Sequence, residues 1–386
     1  MQYKLKTWQM IDFIKLKINT PDINAIRNNS LLQWDQLANE GTGEVKELTA
    51  QYYGITFKIT ANKYLEITGS LHKHFNTIRG NGSQNYNDFN HSDLTQAVRS
   101  ISETFALNPE QCKVENIEFG VNILCPVEVN KVLHSAINHR GQPFTREYGE
   151  KKRFRECIHQ RYIVKIYNKG LQFDRPEKIL RFELKVLKME QIRGTGLNTL
   201  ADILEPEILT ALGQELRENF NEILFYGLEI DLNRLNTRER LVLSEGRNAQ
   251  YWTDLKKENR NVYKKRRERF ISLVAKYSSF NIPDMIGKKV SEKWVELQGS
   301  KSKTLPILTG GQTLPILTGG FTHINRSGKG LICHLSQNEV SQSKEQRKTI
   351  SARVWKPFHL VPVYRSKTND LLEFLDLTTG KRVKTV

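Results

Sequence analysis

The chain has little cysteine. Cys112, Cys125, Cys157 and Cys333 are widely spaced over 386 residues and form no Cys-x-x-Cys pair. This argues against a disulfide framework, and no zinc-ligand spacing supports a site built from them, so they read as reduced, buried small hydrophobes. No apolar run approaches the ~20 residues needed to span a bilayer. The N-terminus lacks the charged, apolar and small-residue succession of a secretory signal, and a cytoplasmic protein is the expectation. A nucleotide-binding P-loop is also missing, because Gly80-Asn81-Gly82-Ser83 is not followed by Lys-Ser/Thr. That segment belongs instead to a long polar loop rich in Asn and Gly, from Asn76 to Asn90. Acidic residues are scarce relative to basic ones: 42 Asp and Glu face 59 Lys and Arg, for a net charge of +17. Such an excess repels itself in a compact fold unless it serves attraction, which points to a polyanionic partner. Nucleic acid is the first candidate and a membrane surface the second.

What is present allows about two to three domains in 386 residues. Ile11 to Ile18, Gly54 to Thr60 and Tyr64 to Leu71 are β-rich, with Ala61-Asn62 as a tight connection. Leu94, Val98, Ile101 and Phe105 recur at helical spacing behind Ser92 as N-cap. A strand from Val114 to Leu124 follows, then a helix from Val127 to about Ile137, then strands near Phe144 to Tyr148, Tyr162 to Asn168 and Ile179 to Val186. Strands mixed with helices predict an α+β fold whose helices cover one sheet face and leave the other open. From Leu200 the pattern is helical, with Ile208, Leu209, Leu212, Leu216, Ile223 and Leu224 on one face and Phe270, Leu273, Val274 and Tyr277 on another. Between these, Lys256, Lys257, Arg260, Lys264, Lys265, Arg266, Arg267 and Arg269 stand against only Glu258 and Glu268. Unbalanced cations of this kind suit phosphate contacts; a solvated helical face is the alternative. Residues 299–330 read as a linker containing Thr304-Leu305-Pro306-Ile307-Leu308-Thr309-Gly310-Gly311 and its copy from Thr313 to Gly320. Two copies are too few for a solenoid, which needs at least ~3.

The chemistry concentrates near the middle. In Arg161-Tyr162-Ile163-Val164-Lys165-Ile166-Tyr167-Asn168-Lys169, alternation puts Lys165 and Tyr167 on one strand face. In Arg181-Phe182-Glu183-Leu184-Lys185 it puts Arg181, Glu183 and Lys185 on one face and the apolar residues on the other. A tyrosine, lysines, an arginine and a carboxylate are the parts needed to break a phosphodiester: an oxygen nucleophile and charge to stabilise the phosphate. Lys165, Lys169 and Arg181 are expected to lower the cost of a Tyr167 phenolate. Glu118 and Glu183 are oxygen donors of the kind that hold Mg²⁺ or Mn²⁺. The bland alternatives are a packed strand tyrosine and surface carboxylates.

Ile-Tyr-Asn-Lys followed by Arg-x-Glu-Leu resembles the nicking centre of rolling-circle replication initiators of the plasmid Rep_trans type and of the filamentous-phage gene II replication proteins. Met10-Ile11-Asp12-Phe13-Ile14, Ser70-Leu71-His72-Lys73-His74-Phe75 and Ile117-Glu118-Phe119-Gly120-Val121-Asn122 stand in the same order, so the resemblance spans roughly residues 10–190. It implies tandem antiparallel-sheet βαβ units of RRM or ferredoxin-like type, about 1–107 and 108–195, as a nickase domain. A helical basic DNA-binding region (196–298), the linker and a C-terminal segment of undecided role (331–386) would follow. It implies that Tyr167 attacks origin DNA, stays on the 5′ phosphate and leaves a 3′ hydroxyl primer, without a nucleotide cofactor, in a bacterial host whose helicase and polymerase are further partners. Glu118, Glu183 and Asn122 would hold Mg²⁺ or Mn²⁺. Two positions depart from the family: Gln172 replaces an acidic residue five positions after the tyrosine, and Asn122 replaces one of two aspartates. Those departures favour a rival, a non-catalytic DNA-binding replication factor or repressor on the same fold. His72 and His74 with Tyr148 offer a second arrangement, similar to the paired-histidine nickases, in which the two imidazoles share a strand face, hold the metal, and Tyr148 is the nucleophile; Lys73 stands where that family has a bulky apolar residue.

Overall fold

The computed structural model describes residues 11–61, 64–87, 89–145, 154–299, 360–364, 371–376 and 382–384. Tyr148, both octapeptide copies, Cys333 and most of the C-terminal segment lie outside the described residues. The chain divides into two compact units, 1–305 and 306–386.

In the first unit, period-two alternation builds β1 (Ile11–Ile18), with Ile14, Leu16 and Ile18 buried and Lys15 and Lys17 between them. After α1 (Ile23–Arg27) come β2 (Trp34–Ala38), β3 (Val45–Tyr52), β4 (Ile55–Thr60) and β5 (Leu65–Ser70). The helices α2 (Leu71–Ile78) and α3 (His91–Thr104) lead to the long β6 (Lys113–Leu124). Then α4 (Val129–Ser135), β7 (Ala136–His139), β8 (Gln142–Pro143), β9 (Phe154–Ile158), β10 (Tyr162–Asn168), the single turn α5 (Lys169–Gln172) and β11 (Ile179–Val186) complete the sheet-forming half. The rest is mainly helical: α6 (Pro206–Asn221), β12 (Ile223–Phe225), β13 (Leu228–Ile230), α7 (Thr237–Gly246), α8 (Ala249–Glu258), α9 (Arg260–Tyr277), β14 (Ser278–Phe280) and α10 (Ile282–Gly299). In the second unit, β15 (Leu360–Tyr364), β16 (Leu371–Asp376) and β17 (Arg382–Lys384) form an antiparallel three-stranded sheet.

Nine strands make one antiparallel sheet in the order β2-β3-β4-β5-β1-β6-β11-β10-β9. The fold is α+β, and β1 pairs with β6 within this one continuous sheet. One sheet face is apolar and covered: Phe182 meets Phe220 of α6 with ring centroids 5.0 Å apart, and Phe119 meets Trp294 of α10 at 5.9 Å. Gly213 lets α10 close on α6, since a Cβ there would lie 2.1 Å from Trp294 Cδ1. A smaller core of Trp252, Tyr263, Phe270, Val274 and neighbours holds α7, α8 and α9 together. Among the described residues no helix is long and apolar enough to cross a membrane.

Several local expectations are corrected. His72 and His74 sit on a helix, because Ser70 caps it by accepting from the Lys73 amide and so ends the strand. Asn90, not Ser92, caps α3, since its reciprocal pairing with Asp93 satisfies two amides at once. The helix expected to reach Ile137 stops at Ser135, and Ile137 is a strand residue of β7. Ile223 and Leu224 likewise leave the helical face and pair as β12 with β7. Of the strand expected at Phe144 to Tyr148, Phe144 and Thr145 are described and lie outside any strand; the short strand Gln142–Pro143, which pairs with β7, comes before them.

Candidate active site

Three adjacent strands arrange the polar face in rows. Their register aligns Tyr167 with Arg181 and Asn122, then Lys165 with Glu183 and Gly120, then Ile163 with Lys185 and Glu118. Gly120 has no side chain to give to the middle row, and a Cβ there would lie 2.2 Å from the Phe182 carbonyl oxygen and 2.6 Å from Glu183 Cβ. Glu183 therefore packs down against β6. Its Oε2 accepts from Arg181 Nε at 2.8 Å and from the Tyr167 hydroxyl at 3.2 Å, while Oε1 pairs with Lys165 Nζ at 3.2 Å. The same ammonium reaches Glu118 Oε2 at 3.1 Å, and Lys185 Nζ reaches Glu118 Oε1 at 2.7 Å. Arg181 is fully buried, and neither Nη1 nor Nη2 has a hydrogen-bond partner among the described residues.

Beyond Tyr167 the strand ends because Asn168 caps the next turn, accepting from the Leu171 amide at 2.9 Å. The turn carries Lys169 back over the sheet, where it is buried and its Nζ donates to Asn85 Oδ1 at 2.7 Å and to the Tyr167 hydroxyl at 3.5 Å. Asn85 also donates to Asp12 Oδ2 at 2.6 Å, and Ser70 Oγ donates to Asp12 Oδ1. Asp12 stands at a register shift between β1 and β6, so strict alternation does not place it. The Asn-rich loop is thus a wall of the site rather than a connector. His72 Nε2 lies 2.7 Å from Asn87 Oδ1, the His72 ring stacks on Phe89, and the amides of Asn76 and Asn87 bond each other at 2.8 and 2.9 Å.

The electrostatics follow from burial. Tyr167 is pushed well above the ordinary phenol range, first by desolvation and then by the neighbouring Glu183 carboxylate, with Arg181 opposing. The expected easing of the phenolate by cations is therefore outweighed in the resting site. Burial pushes Lys169 down to about 8, against the pull of Asp12. Burial tends to raise Asp12, yet Lys169, Arg181, His72 and the Ser70 hydrogen bond together bring it down to about 2. His72 is pushed down to about 3 by desolvation and is neutral.

Of the expected metal ligands, Glu118 and Glu183 come together on Lys165 and the others do not join them. Glu118 and Glu183 are on neighbouring strands, but all four of their oxygens already face Lys165, Lys185, Arg181 or Tyr167, so this donor set does not fit a divalent cation without displacing Lys165. Asn122 is buried beside Arg181 with its Oδ1 unpartnered, and Gln172 is exposed at the end of α5. His72 and His74 point to different neighbours, His74 Nδ1 lying 3.3 Å from the Tyr53 carbonyl, because i and i+2 on a helix do not share a face. Among the described residues the donors that do converge are His139, Cys157 and His159, which sequence spacing did not reveal, and this cluster is of a kind that binds a metal.

The cationic run is split between α8 and α9 by Asn259, which caps α9. Lys256 Nζ donates to the Arg140 carbonyl at 2.6 Å, Arg267 pairs with Glu222 at 3.3 Å, and Arg266 lies 3.9 Å from Glu245. Lys257, Arg260, Lys264, Lys265 and Arg269 are exposed.

No protein-family model matches the chain, and no curated protein matches it. Among solved structures, a rolling circle replication initiator protein from Geobacillus stearothermophilus is similar over 68% of this chain and 97% of its own, with a TM-score of 0.33 and 10% identity. At that distance the likeness carries nothing about chemistry.

Proposed function

We propose that the chain initiates rolling-circle replication by nicking one DNA strand and holding it as a 5′-phosphotyrosine. The observation that carries this reading is the row in which the Tyr167 hydroxyl, the Lys169 ammonium and the unpartnered Nη groups of fully buried Arg181 converge. Buried donors without acceptors are rare, and a guanidinium offers a fork matched to two phosphate oxygens. In the reaction Tyr167 Oη attacks phosphorus and its proton passes to Glu183 Oε2, the acceptor it already faces. The bond from phosphorus to the 3′ oxygen breaks, and Lys169 supplies that oxygen with a proton. Arg181 holds the non-bridging oxygens. The phosphodiester energy is retained in the tyrosyl link, so strand closure needs no nucleotide. The Asn85 to Asn87 stretch, which covers Lys169 and Asp12, gives way to the incoming strand.

A second reading has its own observation. Tyr167 is buried and held protonated, which suits a DNA-binding factor that keeps the fold without the chemistry. Incubating the protein with the supercoiled replicon that encodes it, with and without Mg²⁺ or Mn²⁺, separates the two. The nickase gives open circles with protein attached through denaturation, and Tyr167→Phe binds without attaching. Retained supercoils under every condition, with binding intact, favour the factor.

A further inference from the structure

The sheet has a second cluster of reactive side chains, on the face opposite Tyr167. Cys157 of β9 pairs in register with Val164, whose side chain alternates away from Lys165 and Tyr167. His159 follows β9 in the turn to β10, and His139 ends β7 in a separate hairpin. His139 Nδ1 lies 2.8 Å from His159 Nε2, and Cys157 Sγ lies 3.4 Å from the same nitrogen. All three donor atoms lie within 4.8 Å of one another. Their orientation is fixed from behind. The Tyr162 ring stacks on His159 at 4.5 Å, and the Tyr162 hydroxyl accepts from Arg140 at 3.2 Å.

We propose that His139, Cys157 and His159 form a thiolate–imidazole site for Zn²⁺ that ties the β7–β8 hairpin to the β9–β10 hairpin. Bonds of about 2.0–2.1 Å to nitrogen and about 2.3 Å to sulfur put tetrahedral donors roughly 3.3–3.6 Å apart. The Cys157–His159 separation already fits, and the two imidazoles need to open by about half an ångström, which releases their mutual hydrogen bond. Cys157 Sγ donates to the Gln142 carbonyl at 3.3 Å, so binding breaks that hydrogen bond and releases the thiol proton to solvent, and the soft thiolate with two imidazoles selects Zn²⁺ over the hard ions Mg²⁺ and Mn²⁺. Three protein ligands leave a fourth position, and half-exposed His159 gives a water a way to reach it. Arg140 and Lys256 place positive charge near His159, so the site binds less tightly than one in neutral surroundings.

The location gives the ion a role. The β7–β8 hairpin is bolted to α8, since Thr253 Oγ1 donates to the Gly141 carbonyl at 3.0 Å and Lys256 Nζ to the Arg140 carbonyl. An ion on His139 therefore couples the cation-rich helices to the strand that carries Tyr167. This is independent of whether Tyr167 reacts.

The full chain, dialysed against chelator, is titrated with Co²⁺ and then with Zn²⁺. The expected result is a thiolate-to-cobalt charge-transfer band with tetrahedral d–d absorption, saturating at a single ion per chain and erased by Zn²⁺. Cys157→Ser loses the charge-transfer band, whereas Cys112→Ser, which alters another buried cysteine, keeps it. Absence of the band in the unaltered chain overturns the proposal without reference to any variant. So does its persistence in Cys157→Ser, or uptake of Cu⁺ with neither Co²⁺ nor Zn²⁺ bound.

Discussion

Asp12 shows how single residues set the site. Its carboxylate has no exposure to speak of and is kept ionised only because Lys169, Arg181 and Ser70 surround it. A folded value of about 2 against an ordinary 3.8 means that its stabilisation is complete above about pH 4 and is lost as pH falls through about 2. The shift corresponds to about 2 kcal/mol. Urea unfolding of Asp12→Asn is expected to show reduced stability at neutral pH and a flatter decline between pH 4 and 2; an unchanged acid profile contradicts the placement. Lys169 works in the opposite sense. Burial holds it near 8, so it carries its proton below that pH and loses it above. Single-turnover cleavage is expected to fall as pH rises through about 8, and Lys169→Arg, which keeps the charge but does not give up its proton, is expected to bind DNA, to cleave far more slowly and to lose this pH dependence. A profile that rises through this range would assign Lys169 as a base instead.

At the scale of elements, β10 and β11 were readable from sequence to the residue because apolar or aromatic residues hold every second position, Tyr162, Val164 and Ile166 in one and Leu180, Phe182, Leu184 and Val186 in the other. Their chemistry-bearing residues fall on one face for the same reason. Other elements were hidden by competing local signals. Ser70 reads equally as the last strand residue and as a cap, and the cap wins because its hydroxyl also serves Asp12. Asp12 lies in a strand segment legible in the sequence, but its place on the polar face depends on a register shift that alternation does not show. The His139, Cys157 and His159 cluster joins two hairpins and has no linear signature. Gly120 is where an element's geometry is most exposed to test. Its missing Cβ lets Glu183 approach β6, so Gly120→Ala is expected to destabilise the fold by about 1–3 kcal/mol through overpacking and to disturb the Glu183 contacts with Tyr167 and Lys165. Equal stability and activity in the variant, measured by denaturation and cleavage, would mean that the strands are not in this register.

For the whole molecule the net charge of +17 asks for a polyanion, and the structure sorts which cations are free to meet it. Lys256 and Arg267 are engaged within the fold, so altering them confounds binding with folding. Lys257, Arg260, Lys264 and Lys265 are exposed. Replacing these four by Ala is expected to weaken binding to duplexes of any sequence and to lower the magnitude of the slope of log K against log salt by roughly 0.9 per lost phosphate contact. Cleavage of short single strands should stay near its original rate, since the phosphate contacts position the protein and the sheet does the chemistry. An unchanged slope would make the run a solvated surface. The central claim, that Tyr167 is the nucleophile, is tested most directly by trapping the covalent adduct and finding its residue. The protein is incubated with a pool of random single-stranded oligonucleotides, denatured, digested with nuclease and protease, and sequenced by mass spectrometry. The account predicts a nucleotide 5′ phosphate on Tyr167 and no adduct in Tyr167→Phe. A phosphate on Tyr148, or an adduct that survives in Tyr167→Phe, would contradict it.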